Sequence, residues 1–257
     1  MKHFAHQPFH KQYFTELLHK YGTINIRQEL IPDPRPLQVF FSPNGPSPMP
    51  LNSLGTLGKM AAKSTIFAVF LHSISDGEVR QCIVTAFEFY AEFNRQANRS
   101  HTRVPESEFP HLWILTPTAS AALLRRFGAT ENRENWSAGI YFLPSGFKTA
   151  IAAIHQLPRT QETLWLRLLG QSKVQGQALK DLTQLPNDHP FRLPALKLLY
   201  NYVQCFSQTP DSFTPEEREI IMELSPLDLQ RLEEAMQREI HPDIGDEPQL
   251  EPRLREE

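Results

Sequence analysis

Two carboxylates early in the chain, Glu16 and Glu29, are of the type that metal-assisted phosphodiester cleavage uses. That chemistry needs two or more acidic groups converging on a divalent ion, with a lysine nearby to orient or deprotonate water. Glu16 falls in a stretch with helical periodicity, and Glu29 near the end of a stretch that alternates like a strand. A complete site would add an aspartate on a second strand and an acid on a third. The second strand offers Gln38 instead, and the third, STIFAVFLH from Ser64 to His72, carries no carboxylate. Both glutamates also fit plain roles, Glu16 on the solvated face of an amphipathic helix and Glu29 on a strand surface. Convergence of Glu16, Glu29 and Gln38 on one cleft, with Lys59 or Lys63 beside them, is the arrangement to look for.

Other chemical signals are weaker. The run SLGTLGK (Ser53–Lys59) faintly resembles a phosphate loop, but its glycine spacing is wrong and leucines stand where small residues belong. Helix packing is the better reading. His3, His6 and His10 have a spacing that could bind Zn²⁺ or Ni²⁺ on one helical face, yet Pro8 interrupts and no acid or cysteine accompanies them. His101, His111 and His155 read as structural or surface histidines. Cys82 and Cys205 read as small core residues, and two cysteines are too few for a disulfide scaffold. Nucleotide, zinc-protease, nucleophile-elbow and CxxC signatures are absent from the sequence.

The elements that must position these residues follow from periodicity. His10–Tyr21 places Tyr13, Phe14, Leu17 and Leu18 on one helical stripe, and Gly22 ends it. Thr23–Leu30 alternates as a strand, Leu37–Ser42 is a second, and Ser64–Ser73 is an apolar run that predicts burial on both faces. Glu78–Asn98 is a long amphipathic helix whose stripe is read through Ile83, Ala86, Phe87, Tyr90, Ala91 and Phe93. Leu112–Thr116 is a strand, Ala119–Phe127 a helix, and Gly139–Leu143 and Lys148–His155 the last strands. From Thr160 onward the pattern is all helical. Thr214-Pro215-Glu216-Glu217 and Ser225-Pro226-Leu227-Asp228 mark two helix starts. The 22 prolines, twice the 11 glycines, fall at these boundaries and so punctuate elements rather than mark low complexity.

The 257 residues carry 40% hydrophobic and 21% charged residues, which excludes a long disordered chain. The net charge of −3 shows no basic excess of the kind that dedicated nucleic-acid binders carry. From Glu239 to Glu257, seven acids against two arginines give −5, which leaves the rest of the chain at +2. That tail reads as disordered. MKHFAHQPFHKQYF has no apolar run of secretory type, and no stretch has membrane-helix length, so the expectation is a cytoplasmic chain with no membrane contact.

LWILTPTASAALLRRFG (Leu112–Gly128), GIYFLP (Gly139–Pro144) and IHQLPRTQETLWLRLLG (Ile154–Gly170) resemble a family of uncharacterised cyanobacterial proteins. That family is similar to the Rpn-type, transposase-like nucleases of the PD-(D/E)XK superfamily. The likeness extends over residues 6–238. It implies an α/β fold with a restriction-endonuclease-like core of helix, three-strand meander, helix and strand, followed by an all-helical C-terminal extension. The expected organisation is a nuclease-like core over 1–158, a helical extension over 159–238 and the acidic tail over 239–257. The resemblance implies an acid on the first helix, matched by Glu16. It also implies an aspartate on the second strand, where Gln38 stands, and an acid on the third, where Ala68 or a neighbour stands. Glu16, Glu29 and Gln38 are thus the candidates for a degenerate site. The leading expectation is a catalytically degenerate nuclease-like protein that binds DNA or protein, with no cofactor. The alternatives are an active endonuclease, which would need Mg²⁺, and an interaction protein working through its C-terminal helices. The sequence leaves the oligomeric state open.

Overall fold

The computed structural model describes residues 9–27, 37–45, 51–102, 105–213, 215–222 and 224–240. The protein is α/β, built on a mixed seven-stranded sheet of order β1-β2-β3-β4-β7-β6-β5. Helix α1 (Phe9–Leu18) leads into β1 (Gly22–Arg27), β2 (Leu37–Pro43) and β3 (Thr65–Val69), an antiparallel meander. A short helix α2 (Gly55–Met60) lies between β2 and β3. The long helix α3 (Asp76–Arg99) carries the chain to β4 (His111–Thr116), which runs parallel to β3. After α4 (Ala121–Arg126) come β5 (Thr130–Glu131), β6 (Ile140–Phe142) and β7 (Thr149–Ala153), with β7 parallel to β4. Five helices complete the described chain: α5 (Leu164–Arg167), α6 (Ser172–Thr183), α7 (Arg192–Gln208), α8 (Pro215–Met222) and α9 (Pro226–Ile240).

Alternation along the central strands divides the core in two. Phe67 and Val69 of β3, with Trp113 and Leu115 of β4, face α1, α2 and the C-terminal helices. Ile66 and Ala68, with Leu112 and Ile114, face α3 and α4. All five residues of β3 are buried, as its unbroken apolar run predicts for a strand covered on both sides. Phe14 of α1 stacks on Phe67 at 4.6 Å, and full burial of one such ring is worth about 1.5–3 kcal/mol. The first cluster also takes in Leu164–Leu169, Leu179, Leu196 and Met236, so residues on both sides of 158 share one core. Tyr13 Oη donates to the Trp165 carbonyl at 2.6 Å inside it. Arg167, 3% exposed, pairs with Asp181 at 3.0 Å and donates to the Thr160 carbonyl at 2.8 Å.

Two details differ from the sequence reading. The buried stripe of α3 runs through Val79, Cys82, Ala86 and Ala97, whereas Phe87 is 45% exposed. Val79, Cys82 and Ala86 join the cluster that Ile66, Ala68, Leu112, Ile114, Ile151 and Ala153 form on this face of the sheet. The helix starts where Ser75 and Glu78 form a capping box, which satisfies otherwise orphaned amides. The second detail is at the C-terminus, where α9 runs to Ile240 and Glu239 pairs with the buried Arg192. Residues 241–257, most of the acidic tail, lie outside the described residues. Among the described residues, no helix is long and apolar enough to cross a membrane.

Burial fixes a pH dependence. His10 sits on the inner side of α1, and desolvation lowers its pKa to about 4. The unfolded chain binds that proton near pH 6.5, so the folded state binds fewer protons between pH 6.5 and 4. The His10 contribution is therefore complete above pH 6.5 and is lost as pH falls toward 4, by about 3 kcal/mol at the bottom of the window. Urea unfolding of the protein and of His10→Gln at pH 7.5, 5.5 and 4.5 checks this. The variant should lose visibly less stability across that range.

Candidate functional site

The sequence candidates do not meet on one surface among the described residues. Glu16 is exposed on α1, whose buried side chains pack on the face of the sheet that includes Val39 and Phe41. Gln38 alternates with Val39 and so stands, partly exposed, on the opposite face, beside Phe40, which stacks on Phe89 of α3 at 5.6 Å. In register, Gln38 lies opposite Arg27 on β1 and Ala68 on β3. Glu29 lies outside the described residues. Gln38 and the Ala68 methyl supply one neutral oxygen between them, which does not fit a divalent ion that demands several charged or polar oxygens. Among the described residues, no group of three or more His, Cys, Asp or Glu side chains is placed to hold a metal. Of the N-terminal histidines, His3 and His6 are outside the described residues and His10 is buried.

The C-terminal ends of parallel strands are the usual ligand rim of an α/β sheet. Here that rim is spent on itself. Thr116 Oγ1 donates to the His72 carbonyl at 2.9 Å and accepts from the Ile74 amide at 3.1 Å. Ser73 and Thr118 hydroxyls bond each other at 2.6 Å. His72 Nε2 lies 2.7 Å from Glu78 Oε1, and the His155 ring accepts from the Gln171 amide at 3.3 Å. These contacts tie β3, β4 and β7 to the helices that follow them.

A cleft of about 700 Å³ lies elsewhere, between α2 and the loop from Glu131 to Gly139. One wall is the SLGTLGK run. Its glycines serve packing. Gly55 has φ +53°, and a Cβ there would fall 2.3 Å from the Glu162 carbonyl oxygen. A Cβ on Gly58 would fall 1.8 Å from the Leu51 carbonyl oxygen. The Thr56 amide already donates to the Glu162 carbonyl at 2.8 Å, so the first turn of α2 offers no phosphate cradle. Trp165 Nε1 donates to the Ser53 carbonyl at 3.0 Å, which anchors this wall to the C-terminal helices. What the run does contribute is Lys59, exposed at the cleft.

The facing wall is the loop between β5 and β6. Glu131 closes it by accepting from the Gly139 amide at 3.0 Å and from Arg133 at 2.5 Å. Those two contacts, the Gly139 amide first, hold the Glu131 carboxyl below its usual range. Trp136 is half-buried, backed by Trp113 at 4.9 Å and Phe142 at 5.5 Å. Lys59 Nζ lies over its ring, 4.4 Å from the centroid, and donates to the Asn135 carbonyl. The cleft thus brings together an immobilised indole, Lys59 and Arg133, balanced by Glu134 and Glu162. It can hold a planar ligand with a single anionic group. The sequence reading points to Lys59 but not to Trp136 or Arg133. Their signal is a lone tryptophan inside the polar stretch ENRENWSAG.

The packing of this wall sets a test. Gly58→Ala should lower unfolding stability by about 1–3 kcal/mol, because backbone rather than a flexible side chain blocks the new methyl. Gly146→Ala, with open space around it, should stay within about 0.5 kcal/mol of the parent in the same urea titration. Compared with protein-family models, with curated proteins and with solved structures, the chain gives no match.

Proposed function

We propose that this chain is a nuclease-like scaffold without working catalytic carboxylates and that it acts by binding nucleic acid. The observation that carries the reading is the register of the meander. Gln38 on β2 faces Ala68 on β3, at the two strands where metal-dependent cleavage would require acids. The order of helix, three antiparallel strands, helix and a strand parallel to the third supports the restriction-endonuclease-like description of residues 9–116. A shared architecture does not confer activity, and without charge at these positions no ion is held to activate water. Lys59, Arg133 and Trp136 in the large cleft favour nucleic acid over protein as the partner, since cations beside an aromatic platform suit a phosphate next to a base.

Titration of fluorescently labelled DNA with the full chain tests this. Binding should weaken about threefold between roughly 50 and 200 mM salt, as expected for a contact that neutralises about one phosphate. Plasmid incubated with Mg²⁺ or Mn²⁺ should remain intact. Absence of binding, or binding indifferent to salt, contradicts the nucleic-acid reading. Cleavage that disappears in Glu16→Ala would establish the endonuclease alternative instead.

A further inference from the structure

We infer that the cleft between α2 and the Glu131–Gly139 loop holds one nucleotide unit, its base on Trp136 and its phosphate at Lys59 and Arg133. The unit would be either a free mononucleotide or the exposed nucleotide of a single strand. The inference rests on the nucleic-acid reading above and narrows it to an unpaired nucleotide.

Four observations support it. The volume, about 700 Å³, is that of a small-molecule site rather than of a surface that seats a duplex. The indole is pre-positioned by Trp113 and Phe142, so stacking on it requires little ordering. Lys59 is held over the ring by weak partners, a carbonyl and the π-face. A ligand phosphate would offer its ammonium a stronger, charge-assisted bond and leave the indole face to a base. Finally, among the described residues the cleft holds only two cations, Lys59 and Arg133, beside Glu134 and Glu162, and Arg133 is already paired with Glu131. So few cations suit at most one phosphate and are a poor match for a duplex, which carries a charge about every 1.7 Å.

The test uses the full chain with four probes: labelled oligothymidylate, a duplex of equal length, dTMP and inorganic phosphate. Oligothymidylate should bind more tightly than duplex, and dTMP should compete with it while phosphate alone does not. Lys59→Ala and Trp136→Leu should each weaken oligothymidylate binding by about tenfold, the scale of one stacked base. Trp136→Phe keeps an aromatic ring in the packed position and should keep most of the affinity, which separates stacking from folding. Equal binding of single strand and duplex, unchanged in Lys59→Ala, overturns this inference and leaves the nucleic-acid reading standing. Competition by phosphate as strong as by dTMP also overturns it, because the base would then contribute nothing. Failure of both polymers to bind, with dTMP bound and sensitive to Lys59→Ala, upholds the site and overturns the polymer reading. Failure of all four probes overturns both.

Discussion

β3 is enclosed on both faces, and the rest of the molecule is arranged around that enclosure. Phe67 and Val69 are covered by α1 and the C-terminal helices, while Ile66 and Ala68 are covered by α3. Every residue of the strand is buried, so each side chain must be apolar or, like Thr65, bonded to a neighbour. An acid at residue 68 would carry its charge into a site of 0% exposure, where desolvation drives it toward the neutral form. The constraint that stabilises the sheet thus also excludes the carboxylate that cleavage would need. Gln38 beside it retains polarity without charge, at a position open enough to leave the amide partly exposed.

The C-terminal helices are part of that enclosure. Tyr13 reaches the Trp165 carbonyl, Trp165 reaches the Ser53 carbonyl, and the hydrophobic cluster is continuous from α1 to α9. Arg167 is buried with its donors spread over Asp181, Thr160 and Thr163, so removing one acceptor would strand a charge in the interior. The same chain of contacts sets the wall that carries Lys59. The cleft therefore inherits its geometry from the core, through the close approach of Gly55 and Gly58 to neighbouring backbone.

Much of the architecture was legible in the sequence because the elements obey simple periods. Tyr13, Phe14, Leu17 and Leu18 are buried as their spacing requires, and β3 is covered on both faces as its apolar run requires. The phase of α3 was legible in part: Cys82 and Ala86 are buried as the sequence reading has them, whereas Phe87, a core residue by type, is 45% exposed. The two-residue strand β5 is too short to leave a pattern. Among the site residues, Glu16 could be placed on a helix, but which face of the sheet that helix covers is a tertiary fact. Trp136 acquires meaning only when β6 brings its loop across from α2.

The indole N–H signals of Trp113, Trp136 and Trp165 give the most direct test of the proposed binding at Trp136. In a ¹⁵N-labelled sample titrated with oligothymidylate, the Trp136 signal should move progressively to saturation. The signals of Trp113, buried behind it, and of Trp165, bonded to the Ser53 carbonyl, should stay nearly fixed. Saturable binding that leaves the Trp136 signal unmoved would contradict the account.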